Sequence, residues 1–374
     1  MNTPQGDREK KQLFQEHVTE NPIRVFPAAI LLSPEYALRE KEMRELFTQG
    51  RTVVLGDLHG NIDSLKEHMY LAGVTSREGK ICTSGGRTLI FLGDIVADRN
   101  QTGLTCLTSI YDLRAAGYDV HVLAGNHDVW MVDYLFKKQD AQLLTKHCFP
   151  DQGQGLAELL QYHPKLSQVS KEYYAPYAAA FLEAFQEDIV QAVFLSDHAW
   201  LEELLHMKFF RVDVRTKTLF LHTPPTPSIC AVVASCIHHQ RYDYSIKDAL
   251  TEKYYEQMRD IFCYTNNRIG KASSPHNEVT LLRRSDISLL EDSGIKRIMV
   301  GHDTIEDCID VTSMLGTDLL GSTILYNVDG GAMKDTRFEE FQSLRSLLVM
   351  DDESKILSTK RQYTMHGFEG TVVL

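Results

Sequence analysis

Short, mostly apolar runs that end at a loop recur in the first third of the chain. They are Thr52–Leu55, Thr88–Leu92 and Val120–Leu123, and each is followed within two residues by a glycine. Runs of four or five such residues before glycine are typical of strands buried on both faces. The pattern predicts three strands whose carboxyl ends lie at one edge of a sheet.

Segments with helical character follow the first two of these strands. We predict helices over Asn61–Leu71 and Gln101–Ala116, and strands that alternate with helices indicate an α/β fold. Further predicted elements are a hairpin of Lys208–Val214 and Thr218–His222, helices over Ile229–Gln240 and Ser245–Tyr264, and strands over Ile295–Val300, Ser322–Val328 and Leu347–Met350.

The connection between the third strand and the hairpin is long. Asn126 and His222 are 96 residues apart, which is more than a return to the next strand requires. Helical patterns in this stretch predict a helical insertion at about 129–206. We expect it to select the substrate or to recruit a protein partner, because insertions on a rigid scaffold carry specificity.

Polar residues suited to metal binding follow the predicted strands. Five short segments supply them: Asp57-Leu58-His59, Asp94, Asn126-His127-Asp128, His222 and Gly301-His302. Divalent cations such as Mn²⁺ accept carboxylate, amide and imidazole ligands together. Two ions about 3.5–4 Å apart clamp the attacking and leaving oxygens of an in-line displacement and make a bound water more acidic. The five segments therefore predict a site for phosphoester cleavage.

The candidate ligands divide into two sets that share one carboxylate, because its two oxygens can bridge two ions. We assign Asp57, His59 and Asp94 to the first metal, and we assign Asp94, Asn126, His222 and His302 to the second. The expected cofactors are two divalent metal ions, with Mn²⁺ as the first choice and Fe or Zn as alternatives.

In this order, the five segments resemble the calcineurin-like metallophosphoesterase superfamily and, within it, the phosphoprotein phosphatase (PPP) branch. The resemblance runs from about Thr52 to Gly331. It implies a four-layer α/β/β/α sandwich with central mixed β-sheets and a helical insertion. We therefore expect an N-terminal extension, 1–50, that packs on the core, and a metallophosphatase domain, 51–374.

The resemblance also implies roles for four further residues. Arg99 would bind phosphate oxygens, since a guanidinium pairs with phosphate through two parallel hydrogen bonds. His127 resembles the general acid that protonates the leaving oxygen, and Asp98 would orient it. Arg268, chosen by position, would be the second phosphate-binding arginine, with Arg241 as the next choice.

Several departures separate this chain from eukaryotic PPP enzymes. The Gly93–Asn100 segment has one extra residue and ends in Asn, the third segment ends in Asp128 where Glu is usual, and Thr223-Pro224-Pro225 replaces a pair of glycines. These features fit a bacterial relative better. The Gly-Asp-x-x-Ala-Asp-Arg segment also looks similar to PPP-like effector phosphatases secreted by Legionella.

The last segment bears on the substrate. Phosphodiesterases and nucleases of the superfamily carry Gly-His-x-His, whereas Gly301-His302 is followed by Asp303-Thr304. The resemblance therefore implies a phosphoprotein phosphatase that hydrolyses phosphomonoesters with a dimetal-activated water, with phosphoserine or phosphothreonine as the first expectation and phosphotyrosine open. A hydrolase of dinucleoside polyphosphates or small phosphorylated metabolites is one alternative, and a metal-bound scaffold acting through the insertion is another.

Charge and hydropathy set outer bounds on partners and location. The formal net charge of −12 argues against a nucleic-acid partner. The chain has no apolar run of about 18 residues, so we expect no transmembrane helix, and Met1–Glu20 lacks the apolar core of a signal peptide. We expect a cytoplasmic protein, or one translocated into a host cell if it is an effector, with a phosphoprotein or phosphopeptide as its substrate.

Overall fold

Strand pairing builds two mixed sheets and a separate hairpin. The computed structural model describes residues 41, 44–45, 47–96, 102–137, 144, 156–161, 166–168, 178–195, 198–263, 267–269, 277–302, 312–315, 317–328, 347–350, 359–364 and 367–372. Its strands are β1 (Thr52–Leu55), β2 (Thr88–Phe91), β3 (Asp119–Val122), β4 (Lys208–Asp213), β5 (Thr218–Leu221), β6 (Asp243–Ser245), β7 (Arg297–Val300), β8 (Ile324–Asn327), β9 (Leu347–Met350), β10 (Thr359–Thr364) and β11 (Gly367–Val372).

The first sheet has the order β3-β2-β1-β9 and the second the order β6-β4-β5-β7-β8, while β10 and β11 pair with each other. In the first sheet β1, β2 and β3 are parallel and β9 is antiparallel to β1. In the second, β5, β7 and β8 are parallel, and β4 is antiparallel to both β5 and β6. The parallel strands of each sheet therefore end at one edge.

Helices surround these sheets. They are α1 (Ile62–Leu71), α2 (Gly103–Ala115), α3 (Asn126–Val132), α4 (Leu156–Leu160), α5 (Ala178–Ala184), α6 (Gln186–Phe194), α7 (Ala199–His206), α8 (Pro227–His238), α9 (Ile246–Glu252), α10 (Tyr255–Phe262), α11 (Arg284–Asp292), α12 (Thr312–Leu315) and α13 (Thr317–Leu320). A π-helical turn, Asp133–Lys137, follows α3, and short 3₁₀ turns cover Leu166–Gln168 and Glu278–Leu281.

Alternation along the strands explains the layering. Successive side chains of a strand face opposite sides of the sheet. Val53 and Leu55 of β1 belong to the main hydrophobic core shared with the helices, whereas Val54 packs with Phe220 and Met299 of the second sheet. The sheets thus pack face to face with helices on their outer faces. The predicted four-layer α/β/β/α sandwich with mixed sheets is confirmed.

Two carboxylates from the predicted insertion contact the core helix α2. Glu158 accepts hydrogen bonds from the Leu104 and Thr105 backbone N–H groups at the N-terminus of α2 (2.9 and 3.1 Å). Glu203 of α7, fully buried, forms a bidentate ion pair with Arg114 (2.6 and 3.1 Å). The insertion boundaries at about 129–206 stay a prediction, as does the packing of the 1–50 extension, most of which lies outside the described residues.

Two sequence predictions differ from the observed elements. The segment Ser245–Tyr264, predicted as one helix, contains α9 and α10, which are separated at Lys253 by a left-handed backbone conformation (φ 65°). Asn126, predicted in a loop, begins α3. No helix among the described residues is long and apolar enough to cross a membrane.

Candidate active site

The predicted metal ligands converge where the strands of both sheets end. Asp57 and His59 follow β1, Asp94 follows β2, Asn126 opens α3 after β3, His222 follows β5 and His302 follows β7. All six side chains are buried. Parallel strands of two facing sheets thus bring together residues that are up to 245 positions apart.

Asp94 lies between two groups of potential ligands. One group is His59, Asp94 and His127, the other is Asp94, His222 and His302, and within each group the ligand atoms lie within 4.8 Å of one another. Asp94 Oδ2 lies 3.9 Å from His59 Nε2 and 3.8 Å from His127 Nε2, whereas Oδ1 lies 3.5 Å from His222 Nε2. Its two oxygens therefore face different groups, as a bridging carboxylate requires.

Asp57 lies next to the first of these groups. It belongs to neither three-residue group, although its Oδ2 lies 3.8 Å from His59 Nε2. Both of its oxygens accept the His302 backbone N–H (3.1 and 3.2 Å), which joins the loops of the two sheets. The geometry puts His127 in the first group, and a ligand role for Asp57 stays a prediction.

His222 presents a defined ring nitrogen to the site. Its Nδ1 lies 2.8 Å from the Leu92 carbonyl oxygen. A carbonyl only accepts, so Nδ1 carries the proton and Nε2 keeps its lone pair. Nε2 lies 3.3 Å from Asn126 Oδ1. Fixing the tautomer through the other nitrogen is how proteins prepare a histidine for a metal.

Glycines leave room for the ligands. A Cβ on Gly93 would lie 2.7 Å from His222 Nδ1, one on Gly125 would lie 2.0 Å from Asp94 Oδ1, and one on Gly301 would lie 2.5 Å from Asp57 Oδ1. Any larger residue would displace a candidate ligand. The glycine in each motif is therefore required by the close approach of neighbouring loops.

A family comparison identifies this arrangement. A model of the calcineurin-like phosphoesterase family matches residues 50–305, which is more than half of the chain. The chain belongs to the calcineurin-like phosphoesterase family. Members of this family are phosphoester hydrolases that use divalent metals, and the carboxylate, amide and imidazole groups here are suited to such ions.

Two solved structures are similar to this phosphoesterase at low identity. A cold-active protein tyrosine phosphatase is 16% identical, with 83% of this chain and 75% of that chain covered and a TM-score of 0.41. A protein serine/threonine phosphatase from Saccharomyces cerevisiae is 11% identical, with 79% and 77% covered and a TM-score of 0.33. Values this low say nothing about the substrate of this phosphoesterase.

The Asp128 carboxylate holds two loops of the site together through hydrogen bonds. The sequence motif did not reveal this role. Its Oδ1 accepts the Ile95 and Val96 backbone N–H groups (3.0 and 2.9 Å), and its Oδ2 accepts that of Gly125 (2.9 Å). Burial, together with the nearby Asp94 carboxylate, raises the pKa of Asp128. Asp128 thus joins the loop after β2 to the start of α3.

The remaining predicted residues are Asp98, Arg99 and Arg268. Asp98 and Arg99 lie outside the described residues. Arg268 is half-buried, and Asn277 holds its backbone, donating from Nδ2 to the Arg268 carbonyl (2.6 Å) and accepting its N–H (3.3 Å). The roles of these three residues in phosphate binding and in orienting His127 stay predictions.

Proposed function

We propose that this phosphoesterase is a metal-dependent phosphoprotein phosphatase of the PPP branch that hydrolyses phosphomonoesters. The observation that carries the proposal is that the two carboxylate oxygens of Asp94 face different histidines, with His222 Nε2 3.5 Å from Oδ1 and His59 Nε2 3.9 Å from Oδ2. Atoms that share an ion at about 2.1 Å are separated by such distances. Thr304, which stands where the Gly-His-x-His motif has its second histidine, supports monoesters over diesters.

One set of side chains would bind the metal ions. The proposed ligands of two divalent ions are the six buried residues Asp57, His59, Asp94, Asn126, His222 and His302. When bound, the ions would supply positive charge that polarises the phosphate. They would also lower the pKa of a bound water, so that it loses a proton near neutral pH and becomes a nucleophile for phosphorus. Mn²⁺ is our first choice, with Fe and Zn as alternatives.

A second set of side chains would act on the substrate itself. His127 would give its proton to the leaving oxygen, and Asp98 would hold the imidazole in orientation. Arg99 and Arg268 would bind the phosphate oxygens. The phosphoryl group would then be transferred directly to water, without a phosphorylated enzyme intermediate.

Phosphoserine and phosphothreonine are the proposed substrates, and phosphotyrosine is the next choice. The test is hydrolysis of p-nitrophenyl phosphate and of matched phosphoserine, phosphothreonine and phosphotyrosine peptides, with Mn²⁺ or with a chelator. We expect Mn²⁺-dependent peptide turnover that falls at least 100-fold in Asp57→Asn and His127→Ala. Asp292→Asn and His239→Ala make the same chemical changes at exposed positions and should leave turnover intact.

Other outcomes would redirect the assignment. Turnover of dinucleoside polyphosphates or phosphorylated metabolites with none on peptides would make the protein a small-molecule hydrolase. Metal binding without turnover of any substrate would make it a scaffold that acts through the insertion. A protein partner at the insertion, a cytoplasmic location and kinship with Legionella effector phosphatases stay proposals based on the sequence.

A further inference from the structure

A tryptophan lies against the proposed general acid. Trp130 follows His127 by three residues on α3, so both side chains lie on one face of the helix. Their ring centroids are 4.8 Å apart with the planes at 70°. The His59 ring contacts the same imidazole, with centroids 4.9 Å apart and planes at 90°. His127 is thus enclosed by two edge-to-face ring contacts.

Trp130 lies on α3, which several contacts fix in place. Its neighbours Met131 and Val132 are fully buried, and its own ring packs against the main core. The Tyr255 hydroxyl donates to the Val129 carbonyl (3.2 Å), and Arg259 pairs with Asp133 at the end of α3 (2.9 Å). The indole is therefore a fixed surface against which the smaller imidazole rests.

Proton transfer is sensitive to small displacements of the imidazole. A general acid must come within about 2.6–3.2 Å of the atom that it protonates, and a misplacement of about 1 Å can cost a factor of about 100 in rate. The His127 backbone N–H is fixed by Asp94 Oδ1 (3.0 Å), but a backbone bond does not itself set the side-chain torsions. The edge-to-face contact with Trp130 limits that rotation.

We propose that Trp130 is a positioning residue that holds His127 Nε2 toward the leaving oxygen of a phosphomonoester. The inference rests on the proposed function. In the step concerned, the oxygen of water bonds to phosphorus and the bond from phosphorus to the leaving oxygen breaks. The proton on His127 Nε2 moves to that oxygen, and the proton lost by water goes to solvent, from which His127 is reprotonated.

The leaving group provides the test, because a good leaving group departs without a proton and a poor one does not. Trp130→Ala and Trp130→Phe would be assayed in the Mn²⁺-loaded enzyme with p-nitrophenyl phosphate and with a phosphoserine peptide. We expect Trp130→Ala to lower kcat about tenfold or more on the peptide and less than about threefold on p-nitrophenyl phosphate, with KM little changed. Trp130→Phe, which keeps an aromatic ring, should restore most of the peptide activity.

Trp200 provides a matched control. It also lies against a histidine, His198, with ring centroids 5.9 Å apart, but in α7 rather than at the site. Trp200→Phe should change both substrates by the same factor. An equal loss on both substrates in Trp130→Ala would show a structural role only, and a larger loss on p-nitrophenyl phosphate would show that Trp130 stacks on aryl leaving groups. Either result would overturn the proposal.

His127→Ala separates this inference from the function on which it rests. If it loses far more activity on the peptide than on p-nitrophenyl phosphate while Trp130→Ala does not, the positioning role is wrong and the general acid stands. If His127→Ala itself affects both substrates equally, the general-acid assignment fails and the role of Trp130 fails with it. If the wild-type enzyme turns over no phosphomonoester, the proposed function is wrong.

Discussion

Three of the candidate ligands have backbone conformations that L-amino acids seldom adopt. His59, Asp94 and His302 have φ values of 46°, 49° and 65°. Such conformations cost on the order of 1–3 kcal/mol each and persist where the surroundings enforce them. Here the His59 N–H donates to the Asp94 carbonyl (2.7 Å) and the His302 N–H donates to Asp57. Backbone strain is therefore present where the side chains of the candidate ligands converge.

At the same scale, the space beside Asp94 can be tested with Gly125→Ala. Gly125 has a φ of −90°, which alanine adopts freely, so the cost of the change is a collision between the new Cβ and Asp94, whose Oδ1 lies 2.0 Å away and whose backbone nitrogen lies 2.3 Å away. We expect Mn²⁺ affinity, measured by calorimetric titration, to fall at least tenfold as Asp94 is displaced.

Gly117→Ala is the control for that substitution. Its φ is +91°, but no atom lies within 4 Å of the added Cβ. It should cost about 1–2 kcal/mol in unfolding free energy through backbone strain and leave Mn²⁺ affinity unchanged. Unchanged Mn²⁺ affinity in Gly125→Ala would contradict the view that the glycine exists to admit Asp94.

At the scale of elements, the sequence was most informative where apolar runs end at glycine. β1, β2 and β3 lie within one residue of their predicted bounds, because burial on both faces leaves a pattern in the sequence. The break at Lys253 left no such pattern, since lysine seldom adopts a left-handed conformation, and α9 and α10 were merged. The hydrogen bonds of the Asp128 carboxylate could not be predicted either, because their donors are backbone N–H groups that only the tertiary fold brings close.

The contact between α2 and α7 leads to a second prediction. Glu203 is fully buried and Arg114 is its bidentate partner. Arg114→Met should lower the unfolding free energy, measured in urea, by about 3 kcal/mol, because the Glu203 carboxylate would lose its counter-charge inside the protein.

The double variant tests the cause of that loss. Arg114→Met combined with Glu203→Met removes both charges and should recover most of the lost stability, because no buried carboxylate remains. A double variant that is less stable than either single one would indicate that packing, not the ion pair, joins α7 to α2.

At the scale of the whole molecule, the candidate ligands come from both sheets. Asp94 follows the first sheet, whereas His222 and His302 follow the second. The sheets also meet through an apolar layer and through the hydrogen bond from the Ala124 N–H to the Lys208 carbonyl (2.8 Å). Family resemblance predicted this pairing of sheets; the strand patterns alone could not, since the order of strands depends on contacts distant in sequence.

Ions bound at the candidate site should stabilise the folded state. A ligand that binds only the native protein stabilises it by about 2.7 kcal/mol at 100 times its Kd, so saturating Mn²⁺ should raise Tm by several degrees. His302→Ala, on the second sheet, should lower the rise, because it removes a ligand of the second ion and leaves the ligands of the first ion in place. Asp57→Asn, on the first, keeps an oxygen for the His302 N–H but loses the charge, and should reduce it. His239→Ala should leave it intact, and a full rise in His302→Ala would mean that the ions bind to one sheet alone.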